Sequence, residues 1–417
     1  MSENQILSAP LDEVALLSPE ALACPHQLNQ RLRNEAPVHR CPQTGIFFVS
    51  DYETICAIAR DHGTFSNKFG QAMRPMGSEV DQDIAAIQAK GYAPVDTMLT
   101  EDPPVHRRYR GLVNQAFTAR RVATLEPEIR RICNGLIDKI LAKGECEFFA
   151  EFAEPVPMIV IAEQLGVSLD DYELFKSWSD AFVAQLSGMA SKEEQMHAAQ
   201  LIVDFQHYFA ERLEERRKNP QDDIISDIVH AQFEDETPLN TPEMLSILQQ
   251  LLVAGNETTA SSIAEAVLLM IQHPDQFAKL KANHDLVDNL VEEVLRLSTP
   301  TANMWRVATK DTEIQGVPVP AGSMVQIRFS SANRDESVYP EPDAFDVERS
   351  NAKSNIAFGH GVHMCVGASL ARKEMNVAFR CLLERVEHFE LNCDPTELQY
   401  APNVLLRGVS QLPIKLR

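Results

Sequence analysis

Residues 358–372 read FGHGVHMCVGASLAR, a glycine-rich loop that delivers Cys365 to the start of a helical pattern. One cysteine between three glycines and two histidines has three readings. It is an inert buried thiol, a zinc ligand together with His360 and His363, or a thiolate that holds a cofactor from one side. The following VGASLARKEMNVAFRCLLERV is amphipathic, with Leu370, Val377, Leu382 and Leu383 near one side. At a helix N-terminus the backbone N–H groups and the positive end of the dipole favour the thiolate. Gly359, Gly361 and Gly367 let such a loop fold closely against a flat partner. A thiolate held this way suits the axial position of haem iron. Zinc sites favour paired, separated ligands, and no fourth ligand accompanies the three residues here.

The chain has 417 residues, 44% hydrophobic and 24% charged, without low-complexity segments or an internal period. Its net charge of −22 sets it against nucleic acid and anionic membrane surfaces. The opening MSENQILSAPLDEVALL lacks a basic n-region and a long apolar run, so a cytoplasmic protein with no membrane span is expected. Cys24, Cys41, Cys56, Cys133, Cys146, Cys365, Cys381 and Cys393 include no CxxC pair and are expected to be reduced.

Helical periodicity dominates from about 100 to 300, with prolines near element boundaries. Strand-like stretches are short: 45–50, 312–329 and the C-terminal LLRGVSQLPIKLR. A mainly α fold with a small β region, in a single domain, is expected. The longest helix candidate, 241–273, opens with Thr241 as N-cap and Pro242 at the first helical position. Roughly 32 residues at ~1.5 Å each would cross the whole molecule, so polar residues in its middle need a partner or a role. That middle is LLVAGNETTASS, where Ala254 and Gly255 thin the helix and Glu257, Thr258 and Thr259 supply an acid and hydroxyls. A kink with threonines bonded back to carbonyls is the plainer reading. Glu293 and Arg296 stand three apart and can pair, as can the surface pairs Glu128–Arg131 and Glu214–Arg217.

Together these tracts resemble the cytochrome P450 family. Phe358, Gly361, Cys365 and Gly367 match its FxxGxxxCxG loop, AGNETT resembles its oxygen-activating helix, and Glu293 with Arg296 matches its ExxR pair. Arg349 in PDAFDVERS matches the arginine that completes that ion network. The resemblance runs from about residue 30 to the end, leaving 1–30 as an N-terminal extension, and places the long helix over a haem b.

It implies that Cys365 ligates the iron, with Phe358, Gly359, Gly367 and Ala254 against the cofactor. His106, Arg110, Arg306 and His363 would face the propionates, while Arg107 and Arg108 of the HRRYR knot also fit a solvated helix face. It further implies a monooxygenase that activates dioxygen and inserts one atom into a substrate, Thr258 hydrogen-bonding the oxygen and Glu257 delivering protons. No GxGxxG fingerprint or flavin segment is present in the sequence, so a separate ferredoxin and its reductase are expected as electron donors. Arg107, Arg108, Arg110 and Arg372 would form the cationic patch that steers the ferredoxin. Relatives that use peroxide, or run other haem-thiolate chemistry, and a haem-based binding protein are the alternatives. Phe182, Val183, Leu186, Leu252, Asn303, Met304 and Trp305 are expected to line a pocket for a hydrophobic small molecule, Asn303 anchoring a polar group. Residues 72–100 would form a lid hinged at Gly77 and Gly91. A monomer is expected.

Overall fold

The computed structural model describes residues 8–23, 25–70, 82–187, 191–234, 236–400 and 402–417, with backbone alone at 169 and 183–187. Cys24 and Gly77 lie outside the described residues, as do the side chains of Val183 and Leu186. The packing groups into two compact units: Met1–Ala72, Glu126–Val156 and Thr258–Arg417 form one, Met73–Leu125 and Pro157–Glu257 the other.

The first unit contains the sheets. Its five-stranded sheet has the order Val38–Arg40, Phe47–Val49, Met324–Ile327, Met304–Ala308, Phe65–Ser66. Phe47–Val49 runs parallel to Met324–Ile327, and the other neighbours are antiparallel. Because side chains alternate across a strand, one face gathers Phe47, Val49, Val325, Ile327 and Ala308 with Ile55, Ile58 and Phe329 into an apolar cluster. A three-stranded sheet, Glu145–Glu147, Pro413–Leu416, Phe389–Leu391, draws on three distant stretches. Periodicity alone missed strands this short: Val38–Arg40, Phe65–Ser66 and Glu145–Glu147 have no more than three residues each and offer no alternation to detect.

The expected extension is part of the core. Leu11, Val14, Leu16, Ala21, Leu28 and Leu32 pack with Cys41 and Phe48 of the sheet region.

The second unit is helical. Its Lys192–Lys218 helix starts at a capping box between Ser191 and Glu194 and ends on Arg216, Arg217 and Lys218, which suit the negative end of the dipole. Trp178 holds its core, with Phe205 and Phe209 rings at 5.7 and 6.0 Å. The long helix runs Thr241–Gln272, 32 residues. Its cap is Asn240 rather than Thr241: Asn240 Oδ1 accepts the Glu243 N–H at 3.0 Å and Glu243 Oε2 accepts the Asn240 N–H at 2.8 Å. An asparagine carboxamide competes well for the cap, which moves Pro242 to the second helical position.

Candidate functional site

The cysteine loop is folded by its own backbone. Cys365 N–H donates to Phe358 C=O at 2.8 Å, and a 3₁₀ turn spans Gly361–His363. The helix that follows begins at Ala368 with Gly367 as its cap, so Cys365 stands two residues before the cap. Gly361 is at φ +75°, and a Cβ there would come 2.3 Å from Ala59 C=O. Only glycine lets the loop approach the preceding helix end this closely. Arg60 Nε–H donates to His360 Nε2 at 2.7 Å. That nitrogen is therefore taken, and burial first and the Arg60 charge second lower the His360 pKa. Among the described residues no group of three His, Cys, Asp or Glu side chains is placed to hold a metal.

Behind the loop, Arg372 lies over the Phe358 ring at 4.5 Å and binds Glu292 at 2.7 Å. Arg372, expected on the partner surface, is thus also tied to Glu292, whose role no motif marks although it sits beside Glu293. Further back, Glu293 and Arg296 are fully buried and doubly bonded, with both distances 2.8 Å. Arg349 Nε adds a third bond to Glu293 at 3.0 Å, and both arginines donate to the Ala344 carbonyl. One carboxylate thus serves two guanidinium groups, and their remaining N–H groups are satisfied by backbone carbonyls, as buried charges require. Glu128–Arg131 and Glu214–Arg217 lie on the surface.

Burial along the long helix changes near its middle. Residues 259–268 are all buried, whereas Ala254 and Gly255 are exposed and Glu257 and Thr258 half-buried. A Cβ on Gly255 would meet nothing within 4 Å. Thr258 C=O accepts the Ser262 hydroxyl at 3.0 Å, a back-bond one turn along. Of the cationic candidates, His106 and Arg306 are buried and Arg110 is half-buried; Arg306 Nη1 donates to the Trp305 carbonyl at 2.7 Å.

These observations test the fit of a haem. The loop carries a single half-buried thiol, no acidic residue, and apolar side chains left uncovered, with Val362 38% and Met364 48% exposed. One soft anionic ligand in an apolar, glycine-lined rim fits an iron porphyrin.

Several expected positions are corrected. Met304 and Trp305 are consecutive on one strand, so they point to opposite faces and cannot line one pocket. Met304 packs against the apolar cluster of the sheet. Asn303 gives its Nδ2–H to Val404 C=O at 3.1 Å and its backbone N–H to Leu405 C=O, fastening the C-terminal loop and leaving only its Oδ1 for any guest. Phe182 is 2% exposed and meets Phe205 edge-on at 5.2 Å, and Leu252 is fully buried. Arg108 is drawn into Glu243 at 2.7 Å with its side chain 16% exposed, which removes it from the cationic surface. Arg107 stays exposed, paired with Glu234. At Gly91 an added Cβ would strike Gln206 Oε1, the atom that accepts the Tyr92 N–H, so glycine is needed there for close packing.

A mainly helical fold with a small mixed sheet, a cysteine loop and a buried glutamate–arginine network define a haem-thiolate protein. The chain belongs to the cytochrome P450 family, whose model matches residues 79–413. Cytochrome P450 monooxygenase PikC of Streptomyces venezuelae is 34% identical over 416 residues, covering 98% of this chain and 95% of that protein. The structure of cytochrome P450 CYP109Q5 from Chondromyces apiculatus is similar with a TM-score of 0.84 at 38% identity, over 96% of this chain and 97% of that one. Myxobacterial CYP267B1 in complex with myristic acid gives a TM-score of 0.85 at 33% identity, over 96% and 98% of the two chains. The protein is accordingly a monooxygenase-type oxidoreductase whose cofactor is haem. Among the described residues no helix is long and apolar enough to cross a membrane.

Proposed function

We propose that this monooxygenase oxidises a hydrophobic small molecule with dioxygen, using electrons from a separate ferredoxin and its reductase. The observation that carries this is the exposed small-residue pair Ala254–Gly255 within the continuous long helix, beside the half-buried acid–hydroxyl pair Glu257–Thr258. When bound, the haem supplies the reductive activation of dioxygen. Cys365 would be its ligand, with Phe358, Gly359, Gly367 and Ala254 against its faces. His106, Arg110, Arg306 and His363 would neutralise its carboxylates. Thr258 Oγ1 would hold a proton toward the oxygen, and the Glu257 carboxyl would replenish it from solvent.

The apolar guest is supported by the myristic acid held by CYP267B1. Electron delivery by a small acidic protein is supported by Arg107 and Arg372, which remain 67% and 39% exposed after pairing. The test is turnover of long-chain fatty acids by the purified, haem-loaded protein. Product should form with NAD(P)H, a reductase and a ferredoxin, at a rate that falls with added salt. Product from hydrogen peroxide alone, and none from the donor chain, overturns the reading. Thr258→Ala should keep haem and fatty-acid binding yet release its electrons as peroxide.

A further inference from the structure

One face of the five-stranded sheet carries buried hydrogen-bond donors that find no acceptor among the described residues. In register, Gln326 stands opposite Phe48 on one neighbour and opposite Trp305 on the other, so the three side chains share the face turned away from the apolar cluster. Arg328 follows the strand, two residues beyond Gln326, and is held there by its N–H to Val49 C=O at 3.0 Å. Its Nη1 reaches Gln326 Oε1 at 3.5 Å and its guanidinium lies over the Phe48 ring at 5.7 Å. Gln326, Arg328 and Trp305 are 0%, 1% and 3% exposed. Phe48 belongs to the cluster with Leu11, Val14, Leu28 and Leu32, so this face is covered by the N-terminal segment.

Among the described residues, Arg328 Nε, Arg328 Nη2, Gln326 Nε2 and Trp305 Nε1 have no hydrogen-bond partner. Every one of these atoms is a donor. Burial alone acts on Arg328, lowering its pKa to about 10, and no carboxylate contributes. The group therefore keeps its proton at neutral pH. A buried guanidinium without a counter-charge is destabilising, and water would satisfy its N–H groups but not its charge. Indole and carboxamide N–H groups beside a guanidinium make a set that only an acceptor of negative charge satisfies. A single positive charge within a closed face selects a small monovalent anion.

We propose that Arg328, Gln326 and Trp305 form a binding site for a halide, chloride under ordinary conditions, beneath the N-terminal segment. None of the three residues is among those assigned to the haem, and the test does not depend on turnover.

Crystals of the haem-loaded protein soaked in bromide are expected to give an anomalous peak between the Arg328 guanidinium and the Trp305 indole. In solution, replacing gluconate by bromide at constant ionic strength should raise Tm saturably by about 2 °C or more. Arg328→Met should abolish that rise. The bromide peak needs no variant, so it decides the matter even if Arg328→Met does not fold. A water without anomalous signal at this position, or equal Tm in the two salts, overturns the proposal.

Discussion

Arg60 and His360 are joined by a 2.7 Å hydrogen bond in which the arginine donates Nε–H to the imidazole Nε2. It ties the end of the helix Tyr52–Arg60 to the loop that carries Cys365. The bond needs a neutral His360, and burial together with the Arg60 charge lowers that pKa below its ordinary value. A depressed histidine contributes stability that is whole above about pH 6.5 and is lost as pH falls. The thiolate absorbance of the reduced carbonyl form should therefore decay at a higher pH in the wild type than in His360→Gln, and identical acid titrations would refute the link.

The neighbouring Gly361 predicts a sharper effect. Its added Cβ would press on backbone at 2.3 Å, where nothing flexible can yield. Gly361→Ala should lose most of the thiolate-type absorbance per haem, whereas Val362→Ala, at an exposed position, should keep it. The carbonyl spectrum of both variants checks this.

Glu293 is bound by two arginines in a buried site. Glu293→Gln leaves two buried cations short of a partner, at a cost of ~3–5 kcal/mol. Arg296→Lys should fail nearly as badly, because an ammonium cannot reproduce the bonds to Glu293, Asn333, Pro342 and Ala344 that the guanidinium makes together. Soluble yield, haem content and Tm read the loss.

Glu374 lies on the helix after the cysteine loop, 3% exposed, and burial raises its carboxyl pKa to about 8. The folded protein thus keeps a proton that the unfolded chain releases near pH 4.5. Its contribution is whole below about pH 4.5 and is lost as pH rises toward 8, amounting to a few kcal/mol. Glu374→Gln should flatten urea-unfolding stability between pH 5 and 8 relative to wild type. Parallel curves for the two proteins would show that the acid is already satisfied.

In the helical unit, Gln206 clasps Tyr92 through two bonds, accepting its N–H at 2.8 Å and donating to its carbonyl at 3.0 Å. Gln206→Leu removes both, about 1 kcal/mol each, and leaves the Tyr92 backbone groups without them. Limited proteolysis should then cut near residues 82–92 many times faster, with little change in Tm.

The sequence by itself determined the chemistry of this protein. A glycine-spaced loop around Cys365, an ExxR pair and a long helix with an acid and hydroxyls at its centre are local patterns, fixed by the spacing of residue types along one chain. The small-residue break at Ala254–Gly255 was legible for the same reason, because period and composition survive without knowledge of neighbours. Tertiary structure decided everything that depends on what lies across from a residue. It placed Met304 and Trp305 on opposite faces, turned Arg108 into Glu243, gave Asn303 to the C-terminal loop and stacked Arg372 on Phe358. It also gathered Gln326, Arg328 and Trp305 onto one covered face, although no spacing in the sequence relates them. The reason is physical: a motif encodes a backbone conformation and a reactive group, whereas burial, pairing and the cost of an unmatched charge arise only between segments far apart in the chain.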